Sequence, residues 1–166
     1  MKTLLVYEST HGCTEKCAVR LHGLLAVKPE IIRLRRIGRI NVNNYNTVII
    51  GGSIHAGTMQ SRVRNFLTSN VEKLKNKRLG LFVCCMEEGK KAEDQFNNSF
   101  PEELRERAVA RGIFGGEFDF DRMNFFQRAI VRKVKGINES VSNIVDEEIV
   151  RFAENINSSH RFRKKA

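Results

Sequence analysis

Several motifs that would settle a function are missing from this sequence. Neither Gly-x-Gly-x-x-Gly nor Gly-x-x-x-x-Gly-Lys-Ser/Thr occurs in its 166 residues. That excludes the fingerprints of dinucleotide binding and of nucleotide triphosphatases. No apolar run approaches the length of a bilayer span. Met1 leads straight into a β-type run, without the apolar core and small-residue cleavage site of a secretion signal. A cytoplasmic chain is expected, with its four cysteines as reduced thiols. Cys13, Cys17, Cys84 and Cys85 offer neither two Cys-x-x-Cys pairs nor a zinc-ribbon spacing, so small buried thiols are expected and no metal. His11, His22, His55 and His160 join no recognisable triad, and no paired-carboxylate arrangement can be defended. Tryptophan, internal repeats and low-complexity segments are absent.

The chain does carry charge. Its formal net charge is +10, which speaks to partners rather than to fold. Nucleic acid, an anionic membrane surface and an anionic substrate are the candidates. The Lys and Arg residues are dispersed and no nucleic-acid-binding motif appears, so no nucleic acid is expected.

β and α signals alternate along the chain. Apolar runs at Thr3–Tyr7, Thr47–Ile50 and Leu79–Cys85 read as buried strands, Glu30–Ile37 as a partly exposed one, and Gly112–Phe118 as a last strand. Helical periodicity marks Thr14–Val27, Ser61–Leu74, Pro101–Arg111 and Asp146–Ile156. Five strands alternating with helices predict an α/β, doubly wound parallel sheet of flavodoxin-like order 2-1-3-4-5. Residues 1–157 are expected to form one domain, and 158–166 a basic tail.

The most informative segment ends the first strand: Ser9-Thr10-His11-Gly12-Cys13-Thr14. A strand that stops in a hydroxyl- and glycine-bearing turn and feeds a helix N-terminus makes an anion site. An ordinary strand–turn–helix with Ser and Thr as caps would read the same way. The spacing Ser-x-His-Gly-x-Thr resembles the flavodoxin phosphate loop, Thr/Ser-x-Thr-Gly-x-Thr, which holds the monophosphate of FMN.

A second feature is the run Asp121-Arg-Met-Asn-Phe-Phe-Gln-Arg-Ala-Ile-Val-Arg-Lys-Val-Lys135. Met123, Phe126, Ile130 and Val134 recur at helical spacing, beside Arg122, Arg128, Arg132, Lys133 and Lys135. Asp121 and Gly136 are the expected caps. Such a basic amphipathic helix either packs its apolar stripe on the domain or lies on an anionic surface.

Ser-Thr-His-Gly-x-Thr, Ile50-Gly-Gly-Ser-Ile-His-Ala-Gly57 and Phe125-Phe126 ahead of the basic helix together resemble the flavodoxin-like, menaquinone-dependent protoporphyrinogen IX dehydrogenase family. The resemblance covers nearly the whole chain, and residues 119–145 are extra relative to a minimal short-chain flavodoxin. It implies FMN as cofactor. Ser9, Thr10, His11, Gly12, Cys13 and Thr14 would hold the phosphate. Ser53, Ile54, His55, Ala56 and Gly57 would run beside the flavin ring, with Ile54 or His55 over one face. Cys85, Met86, Glu87, Glu88 and Gly89 would form the other wall. Phe125, Phe126, Arg128, Arg132 and Lys133 would meet an anionic tetrapyrrole, a quinone or the inner face of the membrane. No protein residue is assigned to catalysis, because the flavin carries the chemistry. The implied reaction passes hydride from a reduced tetrapyrrole to flavin and on to a quinone. An electron carrier without its own substrate is the alternative.

Overall fold

Thr3–Tyr7 forms β1, and every one of its residues is buried. A strand with no wet face belongs inside a parallel sheet covered on both sides. The structure is a computed structural model that describes residues 1–36 and 40–161. In it β1 pairs in parallel with β2 (Glu30–Arg33) on one side and with β3 (Thr47–His55) on the other. A short strand β4 (Thr58–Met59) turns back antiparallel on the end of β3. Beyond β3 lie β5 (Arg78–Cys84) and β6 (Ala108–Ile113), both parallel. The order is β2-β1-β3-β5-β6. With the hairpin strand set aside, this is the expected 2-1-3-4-5.

The two faces carry separate cores. On one, α1 (Cys13–Leu24) and the long helix at Asp146–Arg161 cover Leu5, Ile49 and Phe82. On the other, α2 (Ser61–Leu74), α3 (Gly89–Ser99) and α4 (Glu102–Arg107) cover Leu4, Val48, Leu81 and Val83. The first face holds three close aromatic rings: Phe82 stacks on Phe114 at 4.6 Å between centroids, and Phe152 meets Phe114 edge-on at 5.4 Å. Gly51 makes room for this cluster, since a Cβ there would lie 1.9 Å from the Phe82 ring.

Some boundaries differ from the sequence reading. The expected helix over 101–111 stops at Arg107, and Ala108–Ile113 is strand, because its backbone pairs in parallel with β5 and Gly112 leaves room for the Phe114 ring. The expected strand at 112–118 is therefore displaced, and Glu117–Phe118 (β7) instead pairs with Val141–Ser142 (β8) in a separate ribbon. Helix α3 is additional to the helices that the periodicity marks. β3 runs on through the glycine pair to His55, and the last helix continues beyond Ile156. Ile37 and residues 162–166 lie outside the described residues, as do the side chains of Val134 and His160. Among the described residues, no helix is long and apolar enough to cross a membrane.

Helix α5 (Phe125–Lys135) sits in the connection between the ribbon strands. Its N-cap is Asn124, in a capping box with Gln127, and not Asp121. Asn124 Oδ1 accepts from the Gln127 backbone at 2.9 Å, and Gln127 Oε1 accepts from the Asn124 backbone at 3.0 Å. Gly136, with φ 67°, ends it as expected. The apolar stripe is not packed away: Phe125, Phe126 and Ile130 are 78%, 75% and 61% exposed. Met123, just before the helix, is the member that is buried.

Glycine substitutions should separate packing from propensity. Gly51→Ala drives a methyl group into the Phe82 ring and should cost about 1–3 kcal/mol, as overpacking does. Gly23→Ala, in α1 with nothing within 4 Å of the new Cβ, should stabilise by up to about 1 kcal/mol. Urea unfolding of the two variants checks both signs.

Candidate functional site

The carboxyl ends of β1, β3 and β5 are neighbours, so the segments after them converge. They surround a cavity of about 560 Å³. Ser9, His11 and Cys13 line it from the first segment, Ser53, Ile54, His55, Ala56 and Gly57 from the second, and Cys84, Cys85, Met86 and Glu87 from the third. Helix α5 and its approach close another side with Met123, Gln127, Ile130, Val131 and Lys135. Gly116, Glu117 and Phe118 complete the wall.

The remaining sequence candidates sit nearby. Thr14 is wholly buried at the start of α1, and its Oγ1 has no hydrogen-bond partner among the described residues. Gly12 adopts φ 95° and offers α1 no side-chain cap. The first N–H groups of α1 are thus left without a side-chain acceptor from the cap residue. The guanidinium of Arg122 lies over Gly12, where a Cβ would come within 2.1 Å of its Nη1. Glu88 and Gly89 face an adjoining cavity of about 620 Å³ between α3 and β6. Phe125, Phe126, Arg128, Arg132 and Lys133 lie on α5 but do not line the main cavity.

Polar side chains tie these segments together. Gln60 accepts from the Ser53 backbone at 3.0 Å and donates to Thr10 Oγ1 at 2.8 Å. Ser9 Oγ accepts from the Gly12 backbone at 3.0 Å. Glu8, buried behind the loop, accepts from the Ser9 backbone at 3.0 Å and from Arg33 Nε at 3.2 Å. Arg33 also donates to the Ser9 carbonyl oxygen. The loop is held from beneath by a charge-assisted pair, the stronger class of hydrogen bond. Lys16 binds both oxygens of Glu117 at 2.8 Å, fixing α1 to β7. Lys135 donates to Glu87 and fixes α5 to the segment after β5. That contact holds the Glu87 pKa below its ordinary value.

Titratable groups at the cavity are perturbed. Desolvation and the nearby His11 ring, 5.9 Å away, lower the pKa of His55. His55 Nε2 is 2.9 Å from Ser53 Oγ. Hydrogen bonding from Cys17 and Cys84 lowers the pKa of Cys13, while the same contacts raise those of Cys17 and Cys84. Burial raises that of Cys85.

Sequence reasoning missed Glu8, Arg33, Gln60, Gln95 and Arg122. Gln95 lines the cavity from α3, and its buried Oε1 has no partner among the described residues. A signal for α3 existed in Ala92, Phe96 and Phe100 at four-residue spacing. Gln60 and Arg33 gave none, because they reach the site only through the turn of β3 and the pairing of β2.

This fold has known counterparts. The family model described as "Flavodoxin domain" matches residues 4–144. No curated protein matches the chain. Among solved structures, oxidised flavodoxin 1 from Bacillus cereus is similar at 22% identity over 69% of this chain and 82% of its own, with a TM-score of 0.51. A short-chain flavodoxin associated with a non-canonical PDU bacterial microcompartment is 15% identical over 96% of this chain and 99% of its own, with a TM-score of 0.56. Rubredoxin:oxygen oxidoreductase from Desulfovibrio gigas is 15% identical over 99% of this chain but only 37% of its own, with a TM-score of 0.55. At these identities the structural likeness speaks to fold alone, whereas the family match spans most of the sequence: this chain belongs to the flavodoxin domain family.

Proposed function

We propose that the chain binds FMN and acts as a quinone-linked oxidoreductase of the protoporphyrinogen dehydrogenase type. Its family and the flavodoxins among its structural counterparts support flavin-based electron transfer. FMN, when bound, supplies the hydride and electron chemistry. The chain's residues bind and orient it. Thr14 Oγ1, Arg122 and the uncapped start of α1 suit the phosphate. Ser53–Gly57 and Cys85–Glu87 suit the two sides of the ring system.

The observation that carries the enzyme reading over a simple carrier is α5. It contributes to the cavity wall with Gln127, Ile130 and Val131, while exposing Phe125 and Phe126 outside it. An apolar surface beside a redox cavity suits a flat apolar substrate or a quinone held in a membrane. Lys133 is exposed next to it. An exposed ammonium at that place suits propionate groups or anionic lipid. The carrier reading draws on the same family match, so turnover has to discriminate.

FMN should remain with the purified protein after desalting, read from its absorbance. Thr14→Ala removes one donor to a charged group, worth roughly 1.5–3 kcal/mol. FMN binding should weaken about tenfold or more, while riboflavin, lacking the phosphate, changes little. Equal loss for both ligands would place the phosphate elsewhere.

The α5 surface is tested apart from the helix's own supports. Arg128 Nε donates to the Met123 carbonyl oxygen at 3.0 Å, and Arg132 lies 5.6 Å from the Phe120 ring centroid. Both therefore brace the segment. Phe125→Ser with Phe126→Ser should lower binding to anionic, menaquinone-containing vesicles at any salt and slow protoporphyrinogen oxidation. Lys133→Glu should weaken vesicle binding by roughly 2 kcal/mol at low salt and little at high salt, where exposed charges are screened. FMN content should be unchanged in both variants. A protein that exchanges single electrons with a reductase but oxidises no tetrapyrrole with any quinone is a carrier.

A further inference from the structure

Flavin binding asks for no sulfur at Cys13, Cys17 or Cys84, yet the fold brings these three side chains together. Cys13 and Cys17 stand one turn apart on α1 and share a face of that helix. Cys84 ends β5 and joins the core on the side of the sheet that α1 covers. The three sulfur atoms all lie within 4.8 Å of one another. All are free thiols, with exposures of 7%, 1% and 2%. Among the described residues, no other group of three His, Cys, Asp or Glu side chains converges in this way.

We propose that Cys13, Cys17 and Cys84 form a three-thiolate site for a soft monovalent cation, Cu⁺ in the first place. Sulfur ligands select soft ions and reject Mg²⁺ and Ca²⁺. Structural Zn²⁺ takes four ligands, and the fourth cysteine does not supply one. Cys85 belongs to the opposite core, and its Sγ is directed to the Glu87 carbonyl oxygen at 3.7 Å. The donor set is therefore three buried sulfurs, which suits an ion satisfied by three-coordination. With metal–sulfur bonds of roughly 2.3 Å, a planar site needs its sulfurs about 4 Å apart, within the observed limit. The first turn of α1 and the Lys16 ammonium beside Cys13 offset part of the thiolate charge. Each ligating thiol releases its proton to solvent, so affinity rises with pH.

Cys13 and Cys84 also line the cavity proposed for the flavin, so the test is run with and without added FMN. Reduced protein is titrated anaerobically with Cu⁺ against a chromogenic chelator. One equivalent should be retained, and X-ray absorption should count three sulfur neighbours and no nitrogen or oxygen. Cys17→Ala and Cys84→Ala should each weaken binding by more than the roughly 10–100-fold that a ligand's outer partners contribute. Cys85→Ala should leave it unchanged. Failure of the unsubstituted protein to retain Cu⁺ overturns the proposal. So does a shell of fewer than three sulfurs, or equal loss in Cys85→Ala and Cys84→Ala. Because the sulfur count is made on the unsubstituted protein, a variant that fails to fold does not blunt the test.

Discussion

The parallel pairing of β1 with β3, Thr3 opposite Thr47 through Tyr7 opposite Gly51, sets where everything else can go. A parallel pair hides its backbone from water on both faces, so helices must cover both. Loops then crowd the strand ends, and polar side chains collect there. β5 continues the same register, from Arg78 opposite Thr47 to Cys84 opposite Ser53. The three carboxyl ends are staggered in steps of two residues, β1 stopping opposite Gly51, β5 opposite Ser53 and β3 running on to His55, and the three segments leaving them have one space to enclose. The cavity is a consequence of register, and its chemistry a consequence of which residues end β3 and follow Tyr7 and Cys84.

Register also explains what the sequence disclosed and what it hid. The apolar runs at Thr3–Tyr7 and Leu79–Cys85 have no amphipathic pattern, and that lack of pattern is what marks a doubly covered strand. The Ser9–Thr14 loop was legible because its residue types serve local chemistry: hydroxyls, a glycine at positive φ, and a helix start. Ala108–Arg111, the larger part of β6, was not legible as strand. Its small residues are compatible with helix, and tertiary pairing with β5 overrode that propensity. The same holds for the supports of the site. Glu8 and Arg33 look like surface charges until β2 pairs with β1 and brings the guanidinium beneath the loop. Gln60 acquires its role only when β4 folds back on β3. Long-range contacts of this kind leave no periodic trace in one sequence.

The inserted helix shows the reverse case, where the pattern is plain and leaves packing and exposure both open, and the stripe proves to be exposed. α5 has the stripe and charges of a surface helix. Its own polar contacts favour exposure. The Asn124–Gln127 capping box and the Gly136 cap hold the helix together without the core. Arg128 and Arg132 fold back on Met123 and Phe120, and Lys135 reaches Glu87. With those basic residues engaged within the protein, the outward surface is more apolar than the sequence alone implies. Phe125, Phe126 and Ile130 remain on it, with Lys133 beside them. An apolar surface kept in water by its helix's own caps is costly unless a partner covers it. Because Ile130 also lines the cavity, whatever covers that surface stands next to whatever the cavity holds. Recognition outside and chemistry inside are then linked through one helix, and a change in how α5 docks should be felt at both.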